Sequence, residues 1–172
     1  LNNYQWMKRG LAENDSSYKQ PIVYMIITNP ADKKVFVYQR SADDKQYTEK
    51  RLQGKWTWGV GGHIDEIDTK NPLNDSMLRE LEEEVEIPGT LTPKILGYIN
   101  DDSNSVGKVH FGILYIIETD AKEIIPKDKE IKEGKFRSLE EIANILGSED
   151  YNVETWSEIS FRPLKEYFLR SY

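Results

Sequence analysis

The stretch from Asn71 to Glu86 constrains this chain more than any other. Leu73, Met77, Leu81 and Val85 recur every four residues, and with Leu78 they form one apolar stripe. Asn71 followed by Pro72 is a helix-start signal, with the amide side chain as cap and proline as the first helical residue. The pattern predicts a helix from Pro72 to about Glu86, stopped by Pro88-Gly89, whose apolar stripe must face a sheet. On a helical wheel, Glu80, Glu83 and Glu84 lie at about −100°, −160° and −60° from Leu81, so all three share one flank. Like charges three and four residues apart repel one another, and a helix that had only to be soluble would alternate the sign. Carboxylates gathered beside an apolar face are what a hard divalent cation such as Mg²⁺ requires. Arg79, one turn before Glu83, can hold one carboxylate in place. The plain alternative is a Glu-rich solvated helix.

The rest of the chain supplies the sheet. Pro21–Thr28 and Val35–Gln39 read as two strands across the turn at Asn29–Lys34, and Trp56–Val60 as a third running into Gly61-Gly62. Lys94–Asn100 and Lys108–Glu118 read as a hairpin around Asp101–Gly107, and Lys135–Arg137 as a short strand feeding a helix at Leu139–Leu146. Tyr4–Asn14 is expected to be a short helix. A last helix is expected to begin near Thr155, with Thr155 and Glu158 as a capping box and Pro163 as a kink or restart. Ser41–Lys55 is a long polar loop, and loops of that length in a compact domain usually have a task. At 172 residues the whole is expected to be one α/β (α+β) domain. It would have an N-terminal helical extension over 1–20, a core over about 20–147 and a C-terminal helix over 155–172.

Composition narrows the chemistry. With no cysteine there is no disulfide framework, no Cys-based zinc site and no thiol nucleophile. The longest apolar runs, Ile22–Ile27 and Ile113–Ile117, are too short to span a bilayer, so no membrane partner is expected. No apolar signal segment opens the sequence, and the cytoplasm is the expected compartment. A net charge of −7 works against nucleic-acid binding, which needs a basic stripe. It leaves room for a small polyanion held through metal ions.

Two segments together carry a resemblance. Gly62-His63-Ile64-Asp65-Glu66-Ile67-Asp68, followed by Arg79-Glu80-Leu81-Glu82-Glu83-Glu84-Val85-Glu86-Ile87, resembles the Nudix box of the MutT-like hydrolases, G-x5-E-x7-R-E-U-x-E-E-x-G-U. The R-E-U-x-E-E core matches in full. Asp68 stands where the family has its first Glu, ten residues rather than seven separate it from Arg79, and Glu86 replaces the terminal Gly. The resemblance extends over roughly residues 20–147 and implies a mixed β-sheet sandwiched between helices.

It also implies a hydrolase that cleaves a diphosphate in a nucleoside diphosphate linked to X, by attack of a metal-activated water. Glu80, Glu83 and Glu84 would ligate Mg²⁺ (or Mn²⁺), with the Gly61 carbonyl as a backbone ligand. Glu84 or Glu130 would be the base, with Glu133 as the alternative to Glu130, and Arg79 a supporting group. Arg40, Tyr47 and Arg51 are the candidate substrate-binding residues, and Tyr47, Trp56 or Trp58 could stack on a base. His63 is expected to make local hydrogen bonds and His110 to be a satisfied sheet residue. The expected partner is a small nucleotide or another diphosphate, with a homodimer as a further expectation from the family. A Nudix-fold isomerase of isopentenyl diphosphate is disfavoured because it would need a catalytic cysteine. A noncatalytic ligand-sensing module and a plain acidic interaction domain are the remaining alternatives.

Overall fold

The computed structural model describes residues 4–41 and 52–170. The first β-branched run forms β1 (Gln20–Asn29), and a turn leads into β2 (Lys34–Arg40). The short β3 (Trp56–Thr57), β5 (Thr92–Ile99), β6 (His110–Glu118) and β8 (Ile131–Ser138) complete the main sheet. A separate two-stranded ribbon joins β4 (Val85–Glu86) to β7 (Ile125–Pro126). The main sheet runs β3-β2-β1-β6-β5, with β8 also paired to β2. It is mixed: β1 and β6 are parallel from Gln20–His110 to Thr28–Glu118, while the β1–β2, β2–β3, β2–β8 and β5–β6 pairs are antiparallel.

Strand alternation separates two cores. Val23, Met25, Ile27, Phe36, Tyr38, Ile113 and Ile117 pack against Met77 and Leu81 of helix α2 (Pro72–Glu84). From the opposite face, Tyr24, Ile26, Val35, Val37, Leu114 and Ile116 pack against helices α3 (Leu139–Leu146) and α4 (Thr155–Arg170). Ile142, Leu164 and Phe168 close that side. The short α1 (Arg9–Ala12) precedes the sheet. The arrangement is the mixed α+β sandwich expected from the sequence.

Several boundaries differ for visible reasons. Helix α2 ends at Glu84 because the β-branched Val85 turns extended and pairs with Pro126. Leu78 falls off the buried stripe and is exposed, while Ser76 is buried in its place, its hydroxyl donating to Leu73 O. The third strand stops at Thr57, and Val60 continues only as a single bridge to Met25. The predicted Tyr4–Asn14 helix contracts to four residues. Helix α4 begins at Thr155 as expected but runs through Pro163 without a break. Among the described residues, no helix is long and apolar enough to cross a membrane.

Candidate active site

A cavity of about 1160 Å³ opens at one end of the sheet, between the loop after β3 and α2. Its wall includes Gly61, Gly62, Glu80, Glu83 and Glu84, so sheet and helix deliver the two halves of the sequence motif to one place. The local backbone explains the glycines. Gly61 has φ +131°, and a Cβ there would lie 1.9 Å from Val23 O. A Cβ on Gly62 would lie 2.4 Å from Glu80 Oε2. Only glycine lets the helix carboxylate come up against the strand end. The carbonyl of Gly62 is occupied by Val23 N at 3.0 Å, which pins the loop to β1.

Arg79 organises the charged flank of α2. Its Nη2 donates to Asp68 Oδ2 at 3.0 Å and to His63 O at 2.8 Å, and its Nη1 donates to Glu80 Oε1 at 2.7 Å. Glu83 is 3.6 Å away and mostly exposed. Asp68 is 3% exposed; burial works against its charge, but Arg79 and the Asp65 N–H outweigh that and hold its pKa below the ordinary value. The position where the family pattern has Glu is therefore filled by an acid that fixes the arginine. The three extra loop residues leave that contact intact.

Glu84 turns away from Arg79. Its Oε1 accepts from Gly61 N at 2.8 Å, and burial pushes its pKa from 4.5 up to about 8, opposed by Arg40 and the Gly61 amide. Burial also raises the Glu80 pKa, with Arg79 acting against it. For Glu80 and Glu84, burial thus outweighs the compensation that Arg79, Arg40 and the Gly61 amide give the charged forms, a condition a cation relieves. In this arrangement the three carboxylates fan out. Among the described residues, the one trio of His and acidic ligand atoms lying within 4.8 Å of one another is Glu13, His63 and His110. The donors along the α2 side of the cavity are carboxylates and a backbone carbonyl, an all-oxygen set that fits Mg²⁺ or Mn²⁺.

Of the other expected residues, Arg40 lines the cavity but is engaged. It donates to the buried Glu154, lies 3.7 Å from Glu130 Oε2, and sits over the Tyr38 ring. Glu130 lines the cavity, whereas Glu133 faces a small separate hollow beside Trp56. That distinguishes two acids the sequence left as alternatives. Tyr47 and Arg51 lie outside the described residues. Trp58 is buried with its indole N–H donating to Ser160 Oγ at 2.9 Å, and Trp56 packs on Tyr151 and Arg137, so neither reaches the cavity.

The aromatic wall comes instead from Trp6, Tyr24 and Trp156, with Lys8, Arg9 and Lys55 as cations. Sequence reasoning also missed Glu154 and Asp128. Asp128 adds to the repulsion on Glu84, and nothing in Lys127-Asp128-Lys129 marks it. Glu154 arrives through the Trp56–Val153 bridge, a contact between segments almost a hundred residues apart.

Comparison with known proteins agrees with the fold. The NUDIX domain family model matches residues 18–156. Protein YmaB of Bacillus subtilis (strain 168) is 39% identical over 163 residues, covering 90% of this chain and 75% of that protein. The crystal structure of Tm1382, assigned as a Nudix hydrolase, superposes with a TM-score of 0.74 at 27% identity, covering 94% of this chain and 78% of that one. The NUDIX domain of Shewanella oneidensis NrtR, solved with ADP ribose, has the same fold at a TM-score of 0.65 and 18% identity, covering 94% and 99%.

Proposed function

The chain belongs to the NUDIX domain family, and from that premise we propose that it is a divalent-metal-dependent hydrolase cleaving a diphosphate linkage in a nucleoside diphosphate-X type substrate. The observation that carries the reading is the large cavity, whose wall includes Glu80, Glu83, Glu84 and Gly61. Glu80, Glu83, Glu84 and the Gly61 carbonyl would hold Mg²⁺ or Mn²⁺. When bound, the cation neutralises phosphate charge and makes water more acidic.

The remaining work falls to the chain. Glu84, held by the Gly61 amide on the cavity wall, would take the proton of the attacking water. Glu130, on the same cavity wall, is the second carboxylate within the site. Arg79 is a positioning residue: anchored by Asp68, it donates directly to both Glu80 and the His63 carbonyl. Arg40 fixes Glu130 and Glu154 at the cavity wall. Lys8, Arg9 and Lys55 supply further cations for the polyphosphate. Trp6, Tyr24 and Trp156 offer ring faces and edges for a base or another flat group X. The ADP ribose bound by the NrtR domain supports a nucleotide ligand in this fold.

A screen of diphosphate compounds with Mg²⁺ and Mn²⁺, read by phosphate and nucleotide release, tests the proposal. Turnover should stop in EDTA and return with metal, and Glu84→Gln should cut kcat by roughly 10²-fold or more. Tight binding of a library compound without turnover would favour the ligand-sensing alternative. Full turnover in metal-free buffer would overturn the mechanism.

A further inference from the structure

The one close-set group of metal-ligating atoms in the described residues stands outside the α2 carboxylates. His63 Nε2 and His110 Nε2 are 3.1 Å apart, and Glu13 Oε1 lies 3.8 Å from the first and 3.5 Å from the second. The point in their plane equidistant from these three atoms is about 2.0 Å from each, the length of a Zn–N or Zn–O bond. The donors also differ in kind from those on α2. Two imidazole nitrogens and one carboxylate suit borderline transition cations, whereas Mg²⁺ wants oxygen alone.

The surroundings prepare the ligands. His110 is 4% exposed and its Nδ1 lies 2.8 Å from Val106 O, so Nδ1–H donates there and Nε2 is left bare toward the trio. Gln20 Nε2, at 3.3 Å, is a donor to the same unprotonated nitrogen in the metal-free molecule, a long contact that a cation would replace. His63 is fixed from behind by its bridge to Ile22 and by Arg79 Nη2, which donates to its carbonyl. In the metal-free molecule a single proton can serve the two facing Nε2 atoms. A cation would serve all three ligand atoms at once.

We infer that Glu13, His63 and His110 form a second metal site, of the Zn²⁺ class, that clips the N-terminal segment onto the sheet. Glu13 directly follows α1, and Trp6, Lys8 and Arg9 just before it line the large cavity. Metal at this site therefore secures one wall of the cavity. Three protein ligands leave a fourth position for water or a substrate oxygen. The inference does not rest on hydrolysis, because it concerns different residues and a different class of ion.

Equilibrium dialysis of the full chain against Zn²⁺ in excess Mg²⁺ tests it, with Co²⁺ as a spectroscopic stand-in. Wild-type protein should retain one equivalent of Zn²⁺ and give the intense visible band of four-coordinate Co²⁺. Glu13→Gln and His63→Gln should each weaken retention by roughly tenfold or more and abolish the band. A Glu80→Gln/Glu83→Gln double variant should keep both. Glu13 lies in the N-terminal segment and belongs to neither core, so Glu13→Gln decides the matter even if His63→Gln folds poorly, with its metal-free melting curve as the folding control. Failure of wild type to retain Zn²⁺ under these conditions overturns the site. So does wild-type retention by Glu13→Gln, or loss of Zn²⁺ on removing the α2 charges alone.

Discussion

The two faces of the sheet are built to different standards. On one side, α3 has a complete capping box: Glu141 N donates to Ser138 Oγ at 3.2 Å and Ser138 N to Glu141 Oε2 at 2.8 Å. Its acids, Glu140 and Glu141, sit in the first turn, where the helix dipole favours them. On the other side, α2 starts from a long Asn71 cap of 3.5 Å and ends in Glu82, Glu83 and Glu84, at the negative end of its dipole. It has no basic residue in its last turn, and Lys127 from a distant loop donates to Glu82 O instead. The start of α3 follows the local rules, while α2 sets Glu83 and Glu84 against its own dipole where they line the cavity. Such a conflict is the mark of a site kept for its chemistry.

The contrast makes graded predictions. The largest loss is expected on the stability face. Leu164→Ala, at a fully buried position of α4, should cost about 2–5 kcal/mol in chemical denaturation while leaving the metal-induced stabilisation of folded molecules in place. If that variant lost its metal response, the two faces would not be separable. Next is Asp68→Asn, which weakens the buried pair beneath the α2 flank. It should cost about 2 kcal/mol. Because Arg79 is then less firmly held, it should also lower kcat on the best substrate. Ser138→Ala removes half of the α3 capping box and should cost about 1 kcal/mol with kcat unchanged.

This division also explains what the sequence reveals. Periodicity predicted the α2 face through the four-residue recurrence of Leu73, Met77 and Leu81, whereas Val23 to Ile27 is a continuous apolar run that reads as a strand and is divided between the two cores only in the fold. The Leu139–Leu146 helix comes out with the predicted ends because its cap and apolar stripe are local. The R-E-L-E-E-E segment was legible for the same reason. Two acids of the surrounding wall, Asp128 and Glu154, were not. Glu154 reaches Arg40 across 114 residues, and Asp128 comes near Glu84 only because the Lys127 and Asp128 amides dock on the α2 C-terminus. The Glu13–His63–His110 trio is likewise assembled from three segments, and neither histidine stood out alone. Residue types in one helix can be read in order, whereas a cavity wall drawn from segments between Trp6 and Trp156 depends on tertiary register.

The smallest expected loss of stability is none, for Glu84→Gln in metal-free protein. The carboxylate has its pKa raised to about 8 by burial, against 4.5 for the ordinary group, so the folded state binds this proton more tightly than the unfolded chain does. The favourable contribution is complete below about pH 4.5 and is lost as pH rises through about 8, where Glu84 must ionise in place. Glu80, whose pKa is also raised, acts in the same direction. Asp68 has the opposite sign, but its lowered pKa confines its effect to more acidic solutions, below the ordinary aspartate range. Wild-type protein in EDTA should therefore lose stability between pH 5 and 8. Glutamine keeps the acceptor for Gly61 N and removes the ionisation, so the variant should match wild type at pH 5 and exceed it increasingly toward pH 8. With Mg²⁺ present the order should reverse, because the variant lacks a charged ligand. Denaturation curves at both pH values, with EDTA and with Mg²⁺, read all four corners. A metal-free variant less stable than wild type at pH 8 would mean that Glu84 serves the fold rather than the site.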